Sequence, residues 1–503
     1  MSDTTEPTIG FESETPSGNG VDSSENGSTE PPHPTGSPSV DPQHTKLDDD
    51  HGPWERKTVL TFAVTTAGVG QAPATAKIDR IEQAAQFLPC HYFDYIAGTS
   101  TGGLSAIMLG RLRMSVQQAL DSYEKFGNRV FGKPRRSHLR SLLWYPRSKY
   151  STLNVESAFI KLISEQLGIS TPIAKEKLFE TPDDQTRCIV LSYKQAPLMK
   201  KPYLWRSYDH EYSAGDDADK LLNLGRRALT PIWEVARATS AAPGYFEPIQ
   251  IQGDMHIDGA VRVNNPSKVS TREVYLKEHE RLPALCLSIG TGMKQAQADA
   301  SRESKQDLKK LLRGRSTSKR PRRREIIKGY FQTIVSFAEK LTETEETNSS
   351  WKSWCERRHQ VKYPNGGSLH WWHRLNLDSD FQREVSLDDW RPHVGGTTTR
   401  EVIREFTDKY LESDVVQREV QEIAAALVEI RRKRIKTDAW ERFVDNKIRY
   451  SCGGSEHHHG AKTYKKREDL RRHLKKSHAD AQSLTSDEMD ERMNELRFIL
   501  QDQ

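Results

Sequence analysis

The sequence predicts an α/β fold, a mostly parallel central sheet covered by helices, on three observations. From about Trp54 to Pro392, short apolar runs rich in β-branched and aromatic residues alternate with stretches of helical spacing. One such run, Tyr92–Ala97, passes directly through a glycine-rich corner, Gly98-Thr99-Ser100-Thr101-Gly102-Gly103, into the helical segment Leu104–Leu109. No window approaches 18 uninterrupted apolar residues, so no segment is expected to span a membrane.

The elements follow in order. Residues 1–50 carry 11 acidic residues and a single basic one, Lys46, and are rich in Pro, Gly, Ser and Thr, with Phe11 the only aromatic residue. Such a segment cannot bury enough apolar surface to offset the entropy of ordering, so residues 1–53 are expected to form a disordered acidic tail. Val59–Val64 reads as a buried strand, Ile78–Leu88 as a helix, Phe93–Ala97 as the next strand and Gly103–Leu112 as its helix. Cys188–Tyr193 and Ala284–Ile289 are further strands. Glu401–Lys436 is helical throughout, with Val416, Val420, Ile423, Leu427 and Ile430 on one face, and Ser486–Leu500 is a second amphipathic helix bearing Met489, Met493, Leu496 and Leu500. The expected organisation is a tail over 1–53, a catalytic-size domain over 54–395, a helical extension over 396–440 and a basic tail over 441–503.

The five cysteines are scattered, which suits a reducing compartment, and the N-terminus lacks a basic region followed by an apolar core. The expected location is therefore intracellular, either cytoplasmic or at a membrane periphery. The net charge of +5 conceals a balance of +15 beyond residue 50, which favours anionic surfaces such as lipid headgroups or nucleic acid.

The glycine-rich corner has the form Gly-x-Ser-x-Gly between a strand and a helix, the setting of a nucleophile elbow. A serine on so tight a turn needs very small residues two positions away on either side, and Gly98 and Gly102 occupy those places. A nucleophilic Ser100 needs a base. His256 or His210 would complete a Ser-His-Asp triad, but neither stands out among 17 histidines. Asp258 is the better candidate, because Asp258-Gly259-Ala260 and Asn264-Asn265-Pro266 mark turns that hold it on a constrained loop.

These motifs together resemble the patatin-like phospholipase family. The resemblance is carried by Gly98–Gly103, Asp258–Ala260 and Trp233–Phe246, with Tyr92–Asp94, Met108–Leu112, Ser288–Gly292 and Arg374–Asn376 similar to fungal members; it covers roughly residues 55–395. It implies a patatin-like three-layer fold and a Ser-Asp dyad. Ser100 is then the nucleophile and Asp258 its proton acceptor, within motifs formed by Gly98, Thr99, Thr101 and Gly102 and by Gly259 and Ala260. The implied substrates are glycerolipid or phospholipid esters met at a membrane or lipid-droplet surface, with no cofactor for catalysis. One departure is plain: where the family carries a Gly-rich oxyanion loop ending in Arg-Gly, this chain has Thr65-Thr66-Ala67-Gly68-Val69-Gly70-Gln71-Ala72-Pro73. Gly68 and Gly70 are the candidate donors that remain. The alternative reading is a catalytically impaired domain that serves as a lipid- or nucleic-acid-binding adaptor.

The basic tail carries a different pattern. Tyr464, Leu470, His473 and His478 have the spacing of the second half of a Cys2His2 zinc finger. Cys452, one of His457, His458 and His459, His473 and His478 would make a four-ligand zinc site. Two basic clusters, Lys319–Arg324 in an insertion near residues 300–325 and Arg431–Lys436, are expected to be solvated, or else to contact anionic lipid or act in nuclear import.

Overall fold

The strand expected at Val59–Val64 is β1, Thr58–Phe62, and all five of its residues are buried. A strand hidden on both faces belongs inside a parallel sheet with a layer on either side. In the computed structural model, β2 (Tyr95–Thr99) and β7 (Leu285–Ile289) flank β1 in parallel, with Phe62 opposite both Gly98 and Ile289. Beyond β2 lies parallel β3 (Arg187–Gln195), and beyond β7 lies parallel β8 (Trp372–Leu375). Three antiparallel strands complete an eight-stranded sheet: β4 (Pro202–Arg206) and β6 (Asp254–Asp258) pair with β3, and β5 (Ile249–Ile251) pairs with β6. The structure describes residues 52–63, 87–131, 148–195, 202–210, 222–223, 225–290, 344–364, 370–377, 396–445, 448–452 and 462–499.

Strand side chains alternate between two cores. Leu60, Phe62, Ile96, Cys188, Val190, Leu285 and Leu287 face the larger one, which holds residues of the helices Thr101–Ala106, Val116–Val130, Thr152–Leu167 and Ile232–Thr239. Val59, Tyr95, Ala97, Ile189, Leu191 and Cys286 face the other, with residues of Ser267–Lys277 and Thr344–Lys362. This is the helix–sheet–helix layering that the alternating sequence pattern anticipates.

β3 sets the geometry of the site. Its residues Ile189–Tyr193 pair with β4 along one edge. Along the other edge β2 pairs with Arg187–Leu191, and β6 takes over at Ser192–Gln195. Because β2 runs parallel to β3 and β6 antiparallel, their carboxyl ends meet head on, Thr99 opposite Leu191 and Asp258 opposite Ser192.

Several elements differ from the sequence reading. The helix after the corner is Thr101–Ala106, continued by a wider π turn over Ile107–Arg111. Glu401–Lys436 is two helices, Thr399–Leu411 and Asp414–Arg434, because Ser413 adopts an extended conformation and starts the second. Ser486–Leu500 also breaks: the helix ends at Glu495, and Arg497–Ile499 turns into a strand, β11, against β9 (Ile448–Ser451). The basic cluster after Glu429 is not wholly solvated. Arg434 is buried against Asp94 at 2.7 Å, and the Arg431 guanidinium lies over Tyr92 and Trp440, so these residues anchor the extension to the start of β2. The acidic segment up to residue 51, the region 64–86 with Gly68, Gly70 and most of the expected Ile78–Leu88 helix, the cluster Lys319–Arg324, and His457–His459 lie outside the described residues. All five cysteines are buried and unpaired, and among the described residues no helix is long and apolar enough to cross a membrane.

Candidate active site

Ser100 stands between β2 and the helix Thr101–Ala106 with φ 58° and ψ −128°, a backbone conformation that L-residues rarely adopt. Such strain persists only when the surroundings over-determine it. Here the neighbours are backbone. A Cβ on Gly98 would lie 1.9 Å from the Gly102 carbonyl oxygen, and one on Gly102 would lie 2.4 Å from that of Ala63. The corner is therefore closed against itself and against the end of β1, which allows no side chain at either glycine.

The serine amide donates to Thr239 Oγ1 at 2.9 Å, and that hydroxyl donates to the Leu191 carbonyl at 2.6 Å. Thr239, the last residue of the Ile232–Thr239 helix, thus ties the corner to β3. The helix that begins at Thr101 has first-turn amides without intrahelical acceptors on the Ser100 side, where its dipole favours negative charge.

Asp258 ends β6 facing the corner. Its Oδ2 accepts a 2.5 Å hydrogen bond from Ser100 Oγ, and its Oδ1 accepts one of 2.8 Å from the Ala260 amide. The Asp258 amide donates to Ala241, just beyond the helix that carries Thr239. Gly259 permits this approach: a Cβ there would meet the Leu191 carbonyl oxygen at 2.6 Å. Ser100 and Asp258 are both buried, the aspartate completely. Burial pushes the Asp258 carboxyl up to about 7, against the opposing pull of its hydrogen bonds from Ser100 and Ala260. A carboxylate poised near neutrality, 2.5 Å from a hydroxyl, can accept the proton of that hydroxyl.

The two histidines named as alternative bases are engaged elsewhere. His256 lies against Ser192 Oγ at 3.0 Å and packs on Tyr203 and Trp205; burial lowers it to about 4, which leaves it neutral at pH 7. His210 contacts Glu273 at 2.8 Å. Thr239 was missed as a functional residue. The segment around it, Trp233–Phe246, is visible as a motif, but nothing in the sequence shows that a hydroxyl 139 positions from Ser100 holds its amide.

The patatin-like phospholipase family model matches residues 63–269, a span that contains both Ser100 and Asp258. The human calcium-independent phospholipase A2-gamma is 28% identical over 241 residues, 48% of this chain and 29% of that protein. Phospholipase A I of Arabidopsis thaliana is 24% identical over 279 residues, 47% of this chain and 21% of that protein. The cGAMP-activated phospholipase of Vibrio cholerae is 28% identical over 212 residues, 40% of this chain and 52% of that protein. The matched part spans only about a quarter of the mammalian relatives, 25% of the mouse protein and 29% of the human one. The matched span holds the strained corner and the strands β2 to β6, and the chain therefore carries a patatin-like phospholipase domain.

Proposed function

We propose that this domain hydrolyses acyl esters of glycerolipids or phospholipids through a Ser100–Asp258 dyad. The observation that carries the reading is the 2.5 Å contact between Ser100 Oγ and a fully buried carboxylate whose proton affinity lies near neutrality. Asp258 Oδ2 takes the hydroxyl proton as Oγ attacks the ester carbonyl. The alcohol leaves with that proton, and the acyl group stays on Ser100. Asp258 then accepts a proton from water, the resulting hydroxide attacks the acyl-enzyme, and Ser100 is restored as the fatty acid departs.

The oxyanion formed in each half-reaction needs donors already in place. The first-turn amides after Ser100 are on the correct side, and the amides of Gly68 and Gly70, which follow β1 in sequence, are the remaining candidates. The end of β1 abuts the corner at Ala63. An apolar cavity of about 450 Å³ bordered by Phe62, Ser105, Leu109, Leu287, Ile289 and Leu427 adjoins the helix Thr101–Ala106, although neither Ser100 nor Asp258 lines it. The names of the human, Arabidopsis thaliana and Vibrio cholerae relatives, each a phospholipase, support the proposed substrate class. The protein is proposed to work inside the cell, reaching a membrane or lipid-droplet surface from the aqueous side.

Fatty-acid release from phospholipid vesicles by the purified chain tests this reading. The expected result is turnover in the native protein and none in Ser100→Ala of unchanged fold. Vesicle binding by the native protein without any release would instead identify a lipid-binding adaptor.

A further inference from the structure

We infer that Cys452, His473 and His478 bind a zinc ion that ties the C-terminal hairpin to its helix. The three residues come from different elements. Cys452 follows β9, His473 lies on the helix Arg467–Ser477, and His478 is the residue that ends that helix in an extended conformation. One donor atom from each lies within 4.8 Å of the other two.

The finer geometry is that of metal ligands. The Nε2 atoms of His473 and His478 are 3.3 Å apart. Two imidazole nitrogens each about 2.05 Å from one ion, at a tetrahedral angle, are separated by about 3.3 Å. The Lys462 amide points at Cys452 Sγ at 3.4 Å, the kind of N–H donation that supports a ligating thiolate. Tyr464, on the short strand β10 (Thr463–Tyr464) that pairs with β9, packs its ring on His473 and orients it.

The surroundings account for the need. This region has its own small core of Ile448, Tyr450, Leu470, Leu474, Met489 and Met493, together with Cys452 itself. So few apolar side chains seldom hold a hairpin to a helix unaided, and a structural ion closes such modules. Cys452 and His478 are both buried among these residues, which shields the site from water. The set of one thiolate and two imidazoles selects zinc over magnesium or calcium, which take oxygen ligands. Three corners of the tetrahedron are thereby supplied, and the fourth is left to a water.

Metal analysis of the purified full-length chain is expected to give about one zinc per molecule. After exchange of zinc for cobalt, the spectrum should show tetrahedral visible bands and a thiolate-to-cobalt charge-transfer band. That band arises only from a bound cysteine thiolate, so it separates this site from loose capture by the His457–His459 run, and Cys452 is the cysteine that sits with two histidines. Cys452→Ser should abolish it, and His473→Ala should weaken or abolish metal retention. Zinc at a small fraction of the chain concentration, or cobalt bound without a thiolate band, would overturn the inference. The native-sequence cobalt spectrum decides the question even if the variants do not fold.

Discussion

Asp258 and Glu273 are buried to nearly the same extent, 0% and 4% exposed, yet their proton affinities move in opposite directions. Asp258 is raised to about 7; Glu273 is held at about 2. Burial pushes both upward, so the difference lies in what each carboxylate faces. Glu273 takes two hydrogen bonds from the Arg206 guanidinium, at 2.6 and 2.9 Å, and a contact from His210 at 2.8 Å, which together more than offset its burial. Asp258 faces a neutral hydroxyl and one amide, and no cationic side chain contributes to its shift. Asp94, the third buried carboxylate among the described residues, sides with Glu273: burial raises it, but Arg434 and Lys57 bring it below its usual value. Within one fold, two buried acids are neutralised and serve structure. Asp258 meets no such cation among the described residues and is left able to exchange a proton.

Breaking the comparison on the catalytic side should give the largest effect. Asp258→Asn keeps the shape and the acceptor for the Ala260 amide but cannot take a proton. Its kcat for ester hydrolysis should fall by about 10³–10⁴. The double variant with Ser100→Ala should be little worse than either single one, since the members of the proposed dyad would act as a unit.

On the structural side, Glu273→Gln leaves the Arg206 guanidinium buried without its counter-charge. That should destabilise the protein by about 3–5 kcal/mol in denaturant unfolding.

The opposite sign is expected for the stability of Asp258→Asn. Unfolded, this carboxyl titrates near 3.8; folded, it holds its proton to about 7. Its protonated form therefore favours folding below the lower value, and that advantage is lost as pH rises through the higher one. The Asn variant should match the native protein at pH 4 and exceed it by on the order of 3–4 kcal/mol at pH 8, read from paired unfolding curves. A buried acid that opposes folding at working pH is the pattern of a site kept for function at a cost in stability.

The smallest effect should come from Thr239→Val, which keeps the packing and removes the acceptor for the Ser100 amide. A misaligned nucleophile should lower kcat about tenfold while KM changes little. An equal loss in both, or none, would show that the hydroxyl serves packing only.

How far the sequence led differs by region for physical reasons. The corner at Ser100 was legible because a strained turn demands glycine at fixed offsets, and backbone sterics leave a local signature at Gly98 and Gly102. Asp258 was legible for the same reason, through Gly259 and the turns around it. The buried strands showed as continuous apolar runs, and their ends were placed to within two residues of β1, β2 and β3. Thr239 and Glu273 were not legible. Both sit on helices, where a lone threonine or glutamate looks like a surface residue, and their roles depend on partners 139 and 67 positions away. The break at Ser413 was missed because apolar spacing carries across it, while the capping conformation that stops the first helix depends on a single residue. The turn of Arg497–Ile499 into a strand follows from its pairing with β9, a tertiary contact that the periodicity of Ser486–Leu500 cannot show.

The claim that Asp258 is the base for Ser100 is tested most directly by the pH dependence of covalent labelling of Ser100 with a serine-reactive phosphonate. The account predicts that the labelling rate rises with pH along a single limb with its midpoint near 7, set by the Asp258 carboxyl, and that Asp258→Asn loses both the limb and nearly all of the rate. A midpoint near that of an ordinary carboxylate, about 4, or undiminished labelling in Asp258→Asn, would contradict it.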